Sequence, residues 1–103
     1  MTRAALTRDE ATLALARHAD ALRARGAQAA YLFGSTARDE AMGSSDIDVF
    51  IDVDPARKFS LIDLAGMREF LADQLGTEVD LTTRSGLHPA LREQIESDAI
   101  RIF

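Results

Sequence analysis

Apolar residues along this 103-residue chain recur in two rhythms, one of three or four residues and one of two, and their order sketches the elements of a fold. Thr7 followed by Glu10 reads as a capping box. Leu15, Ala19 and Leu22 then continue at helical spacing, which predicts a helix from about Arg8 to Arg25, stopped by Gly26. The short run Ala29-Ala30-Tyr31-Leu32-Phe33 lies between Gly26 and Gly34 and predicts a buried strand. A polar connection from Ser35 to Ser45, with room for one helical turn, leads into Asp46–Val53, where apolar and acidic residues alternate as in a second strand. Asp54-Pro55 ends that strand. Ser60 with Asp63 opens a helix whose apolar positions are Leu61, Leu64, Met67, Phe70, Leu71 and Leu75, closed by Gly76. Thr77–Thr83 reads as a third strand, Pro89 can start a short helix through about Glu96, and Ala99–Phe103 is a strand-like tail. This order predicts an α+β domain, α/β-like in part, with a small mixed sheet flanked by helices.

Alternation also sorts the second strand by face. Asp46, Asp48, Phe50 and Asp52 point one way, and Ile47, Val49, Ile51 and Val53 the other, toward the core. Asp46 and Asp48 therefore project side by side with Cα atoms roughly 6.5 to 7 Å apart, close enough to share one hard cation. The same parity places Glu78, Asp80 and Thr82 on one face of the third strand, so that Asp80 completes a three-carboxylate cluster if the two strands are neighbours. All-oxygen clusters of this kind favour Mg²⁺ or Mn²⁺, and commonly hold two metals about 3.5 to 4 Å apart for phosphoryl or nucleotidyl transfer. The plainer alternative is an acidic, solvated strand face. Aspartate disfavours strands, however, and two in tandem opposite a clean aliphatic face argue for a site. Asp52 and Asp54 are assigned to solvent or to a strand-end turn. Gly34-Ser35, where the first strand ends, offers backbone N–H groups and a hydroxyl to phosphate oxygens, and Arg38 one turn later can add a charge-assisted contact. Alone, the pair reads equally as an ordinary strand-to-helix turn with Ser35 as N-cap.

Composition narrows the function. A hydrophobic content of 47% with 28% charged residues is that of a folded domain, expected to be a single unit over residues 1–103. The net charge of −5 argues against unaided binding to nucleic acid. Cysteine is absent, which removes disulfides and thiolate chemistry, and no signal sequence or membrane span is apparent; a cytoplasmic location is expected. Lys58 is the only lysine, so there is no Walker-type Gly-Lys-Ser/Thr, and an EF-hand register begun at Asp46 meets Ile51 where glycine is required. His18 and His88 have no partners for a triad or metal site. Tyr31 is read as core, and Phe50 as packing on the aspartate face, beneath a loop or against a nucleotide base.

Gly34-Ser35, ten intervening residues and Asp46-x-Asp48 together resemble the signature of the DNA polymerase beta-like nucleotidyltransferase superfamily, with Arg38 and Ser45-Asp46 also similar to its pattern. Asp80 stands where that superfamily places its third carboxylate. The chain's length, its order of elements and its closing stretch Leu87–Phe103 resemble the minimal nucleotidyltransferase (MNT) group. The resemblance implies Mg²⁺, as two ions, and ATP as substrate. Gly34, Ser35 and Arg38 would contact the triphosphate, and Asp46, Asp48 and Asp80 would bind metal, Asp80 also helping to deprotonate the acceptor hydroxyl. It further implies an antitoxin paired with a HEPN-domain ribonuclease toxin, silenced by AMP transfer to a tyrosine. A binding-only antitoxin and an enzyme acting on a small molecule such as an antibiotic are the alternatives.

Overall fold

The computed structural model describes residues 5–42 and 46–103. Its elements are α1 (Arg8–Arg17), α2 (Ala19–Ala24), β1 (Ala27–Phe33), α3 (Gly34–Ala37), β2 (Ile47–Val53), α4 (Leu61–Leu75), β3 (Val79–Thr83), a 3₁₀ turn at Arg84–Gly86, α5 (Arg92–Asp98) and β4 (Ile100–Arg101). The strands form a mixed four-stranded sheet in the order β3-β2-β1-β4, in which β1 runs antiparallel to β2 and β4 while β2 and β3 are parallel. The α+β class follows from this arrangement.

Both expected capping boxes form. Thr7 accepts from the Glu10 N–H and the Glu10 carboxylate accepts from the Thr7 N–H, and Ser60 and Asp63 do the same at the start of α4. Gly76, at φ +65°, closes α4 in the left-handed conformation that glycine adopts without steric cost. The first helix, however, is two helices. His18 leaves helical geometry at φ −103° and ψ 13°, its N–H contacts the Leu15 carbonyl, and its ring meets Phe70 edge-on at 5.5 Å. The break lets Leu15 and Leu22 both reach full burial. Leu61, read as an apolar-face position of α4, instead stands 83% exposed in the first turn, and the last helix begins at Arg92 rather than at Pro89. Pro89 belongs to a preceding turn in which the Ala90 N–H donates to His88 Nδ1 and the Leu91 N–H to the His88 carbonyl.

Ala30 and Leu32 of β1, Val49 and Ile51 of β2 and Leu81 of β3 share one sheet face and pack with Leu15, Leu22, Met67 and Leu71 of the helices into the core. The opposite face carries a second, smaller apolar group. There Phe50 is fully buried, stacked on Tyr31 at 4.7 Å and tilted against Phe33 at 5.6 Å. Tyr31 is thus only partly buried and lies on the aspartate face rather than in the main core, because the two residues it pairs with, Phe50 and Arg101, are on that face. Among the described residues no helix is long and apolar enough to cross a membrane.

Candidate active site

Register alone brings the two halves of the motif together. Phe33, the last residue of β1, pairs with Asp48 across the antiparallel ladder, so the chain leaves the sheet at Gly34 beside that carboxylate. Gly34 has φ +73°, and a Cβ built on it would lie 2.1 Å from Asp48 Oδ2. No side chain fits there: the glycine is required both by its backbone conformation and by the carboxylate against it. The half-buried Ser35 follows in the single turn of α3, where Thr36 and Ala37 are buried and anchor the turn to the core. The Ser35 carbonyl accepts from the Glu40 N–H at 2.8 Å and the Gly34 carbonyl from the Arg38 N–H at 3.2 Å.

The carboxylates form one electrostatic unit. In the parallel β2–β3 pair Asp48 is the partner of Asp80, and side chains so paired point to the same face. The Asp48 carboxyl is pushed up from 3.8 to about 6, first by burial, then by the charges of Asp80 and Asp46, with Arg38 opposing. Asp46 and Asp80 are exposed, whereas Asp48 is half-buried. The three interact through their fields without closing into a cage: among the described residues, no group of three or more acidic, histidine or cysteine side chains is arranged to hold a metal ion. The donor chemistry nonetheless suits a hard divalent cation, because Asp46, Asp48 and Asp80 offer only oxygen donors and their charges act on one another. Arg38 is exposed, and its Nε donates to Glu40 Oε2 at 3.2 Å. Ser45 lies outside the described residues.

One ion-pair network was not legible from the motif. Asp52, assigned to solvent or a strand-end turn, instead accepts from Arg84 Nε at 2.7 Å and from Nη2 at 3.0 Å, while Arg84 Nη1 donates to Glu96 of α5 at 2.5 Å. The guanidinium also lies over the rings of Tyr31 and Phe50 at 4.9 and 5.0 Å. These partners hold it firmly cationic, the hydrogen bonds it donates to Asp52 being the largest influence. Strand parity carried only part of the signal: Thr82 pairs with Phe50, two residues before Asp52, but Arg84 lies beyond β3 in the 3₁₀ turn, where strand alternation no longer places it. Asp54 does sit in a turn, accepting from the Ala56 N–H at 2.9 Å.

Known proteins resemble this chain in sequence and fold. The nucleotidyltransferase domain family model matches residues 15–102. A Methanocaldococcus jannaschii protein named for protein adenylyltransferase activity is 36% identical over 78 residues, 76% of this chain and 82% of the relative. The protein adenylyltransferase MntA of Thermococcus cleftensis is 31% identical over 100 residues, covering 96% of this chain and 99% of its own. Among solved structures, one described as a minimal nucleotidyltransferase superposes with a TM-score of 0.74 at 34% identity, covering 92% of this chain and 95% of the other. A toxin–antitoxin structure with AMP-PNP has a TM-score of 0.72 at 23% identity over 89% of this chain and 72% of that one, a likeness that carries the fold.

Proposed function

Since the chain belongs to the nucleotidyltransferase domain family, we propose that it transfers AMP from ATP to a hydroxyl of a partner protein, a tyrosine of a HEPN ribonuclease toxin, and so acts as that toxin's antitoxin. The observation that carries the reading is the close approach of Gly34 to the Asp48 carboxylate, with the turn after β1 lying against the acidic strand β2. Relatives named as protein adenylyltransferases support the reaction, and the shared fold of a toxin–antitoxin structure is consistent with the partner.

In this reading the Gly34 and Ser35 backbone and the Ser35 hydroxyl receive the triphosphate, with Arg38 turning from Glu40 to a phosphate oxygen. Asp46, Asp48 and Asp80 hold Mg²⁺, which supplies charge neutralisation and Lewis acidity to phosphoryl chemistry. Asp80, exposed on β3, takes the proton of the acceptor hydroxyl. The hydroxyl oxygen forms a bond to the α-phosphorus as the bond from that phosphorus to the bridging oxygen breaks, and pyrophosphate leaves with the electron pair. The acidic surface, at a net charge of −5, complements a basic, RNA-handling partner.

Intact-mass spectrometry of the toxin after incubation with ATP, Mg²⁺ and this protein tests the proposal. One or more AMP units are expected with the parent. Asp48→Ala is expected to slow their appearance by at least about a hundredfold, the scale on which preorganised electrostatic groups act in catalysis. A toxin that is silenced at unchanged mass would replace catalysis with occlusion.

A further inference from the structure

β3 stands at one edge of the sheet, and among the described residues no strand pairs with its outer side. The Ile47 N–H donates to the Glu78 carbonyl at 3.0 Å, so alternation turns the backbone groups of Glu78, Asp80 and Thr82 toward β2 and those of Val79 and Leu81 outward. An open edge of this kind is a template for a further strand. Beside it, between β3 and α4, lies a cavity of about 190 Å³ lined by Leu61, Leu64, Ala65, Arg68 and Leu81. That is below the roughly 300 Å³ at which small-molecule pockets begin, and suits a single apolar side chain. Leu61 in this lining and Ile62 next to it are each 83% exposed, which leaves apolar surface for a partner to cover. Arg68 is exposed and, among the described residues, makes no hydrogen bond or ion pair, so its charge is available to a carboxylate.

We propose that an extended segment of the acceptor protein adds to this edge as a fifth, antiparallel strand, its hydroxyl-bearing residue opposite Asp80 and the preceding residue an apolar anchor in the α4 groove. The assignment rests on the adenylyl-transfer reading, in which Asp80 takes the acceptor's proton. Residues paired across a ladder share a face, so the residue opposite Asp80 stands on the aspartate face. In an antiparallel strand the residue before it lies opposite Leu81 and points with the Leu81 side chain into the groove. An acidic residue further along the segment on the groove side finds Arg68. The edge thus selects a sequence pattern around the acceptor as well as the hydroxyl itself. A second copy of this chain is the poorer occupant: pairing β3 with β3 would set two Asp80 side chains on one face of adjacent strands, where like charges repel.

AMP incorporation from ATP and Mg²⁺, followed by mass, tests this on the toxin and on short synthetic peptides that carry tyrosine after leucine or after serine. The leucine peptide is expected to have a kcat/KM about tenfold higher, the scale of one buried aliphatic side chain. Methylating the leucine amide, which would point at the Leu81 carbonyl, should cost about tenfold, whereas methylating the tyrosine amide, which would point away from β3, should cost little. Leu61→Glu adds a carboxylate in the first turn of α4, where an acid suits the helix N-terminus and the side chain is already exposed, so the variant folds. It should lower kcat/KM for the toxin and the leucine peptide about tenfold, through KM, with affinity for a non-hydrolysable ATP analogue unchanged. A toxin that gains AMP equally from the parent and Leu61→Glu, or gains it while no peptide does, overturns the added strand and leaves adenylyl transfer in place. A parent that sediments as a dimer and a Leu61→Glu variant that sediments as a monomer would give the edge to a second copy instead. A parent that adds no AMP to toxin or peptide removes the transfer reading and this assignment with it.

Discussion

Asp48 meets two opposed demands, since the folded chain holds it half-buried among like charges while the proposed chemistry needs it ionised. Its folded value of about 6 exceeds the ordinary 3.8, so between those values the folded state binds more protons than the unfolded state. Stability therefore falls as pH rises through this window, and the cost is fully present above pH 6. Asp48→Asn removes the charge and should raise stability at neutral pH by about 1 kcal/mol, less than the full ~1.4 kcal/mol per pH unit of displacement because solvent screens a half-exposed group. Thermal melts from pH 3.5 to pH 8 check this: the Tm gap between variant and parent should be near zero at the acid end and open by pH 6. A gap of constant size across that range would mean that the charge of Asp48 is not its source. At the same scale, sequence parity made Asp46, Asp48 and Asp80 legible as one face, but the fate of Asp52 was hidden. Its partner, Arg84, lies 32 residues away on a segment whose pairing only the assembled sheet fixes.

Elements were read well where a cap marks them and less well where packing decides. Thr7, Ser60 and Gly76 act locally, so the start of α1 and both ends of α4 follow from neighbouring residues alone. The break at His18 depends on Phe70, a contact across half the chain that no local periodicity contains. The position of α5 depends likewise on Arg84, which ties Asp52 of β2 to Glu96 of α5 while lying on the Tyr31 and Phe50 rings. Arg84→Met should lower stability by about 1–2 kcal/mol, the scale of charge-assisted hydrogen bonds at a partly exposed site. Arg84→Lys should rescue little of that loss, because an ammonium cannot make the bidentate pair with Asp52 or stack as a plane on the rings. Urea unfolding midpoints decide between this and a merely coulombic role, in which Lys would restore the parent value.

For the molecule as a whole, a net charge of −5 sits with an acidic cluster on an open sheet face, so a divalent cation should act as a folding ligand as well as a cofactor. Mg²⁺ at ten times its Kd should stabilise the parent by about 1.4 kcal/mol and raise Tm by roughly 5 °C or more. Sodium at matched ionic strength should not, and Asp48→Asn should lose most of the response; a parent indifferent to Mg²⁺ would remove the metal from the site. The α+β architecture was legible from the order of elements because the rhythms change cleanly between helix and strand. The strand order was not, since nothing in the period of an isolated strand says which neighbour it pairs with.

The antiparallel pairing of β1 with β2 sets Gly34 beside Asp48 at a separation of fourteen residues, whereas the parallel pairing of β3 brings Asp80 to the same place only after α4 has been traversed. Closing the shorter loop costs less conformational entropy than closing the longer one, and parallel pairing is intrinsically slow. In the proposed reaction the site would therefore come together in two steps of unequal difficulty: Gly34 and Asp48 can meet in a nascent hairpin, whereas Asp80 joins them only once β3 has paired with β2. A chain folded only that far would present the Gly34 turn without the carboxylate proposed to take the acceptor's proton.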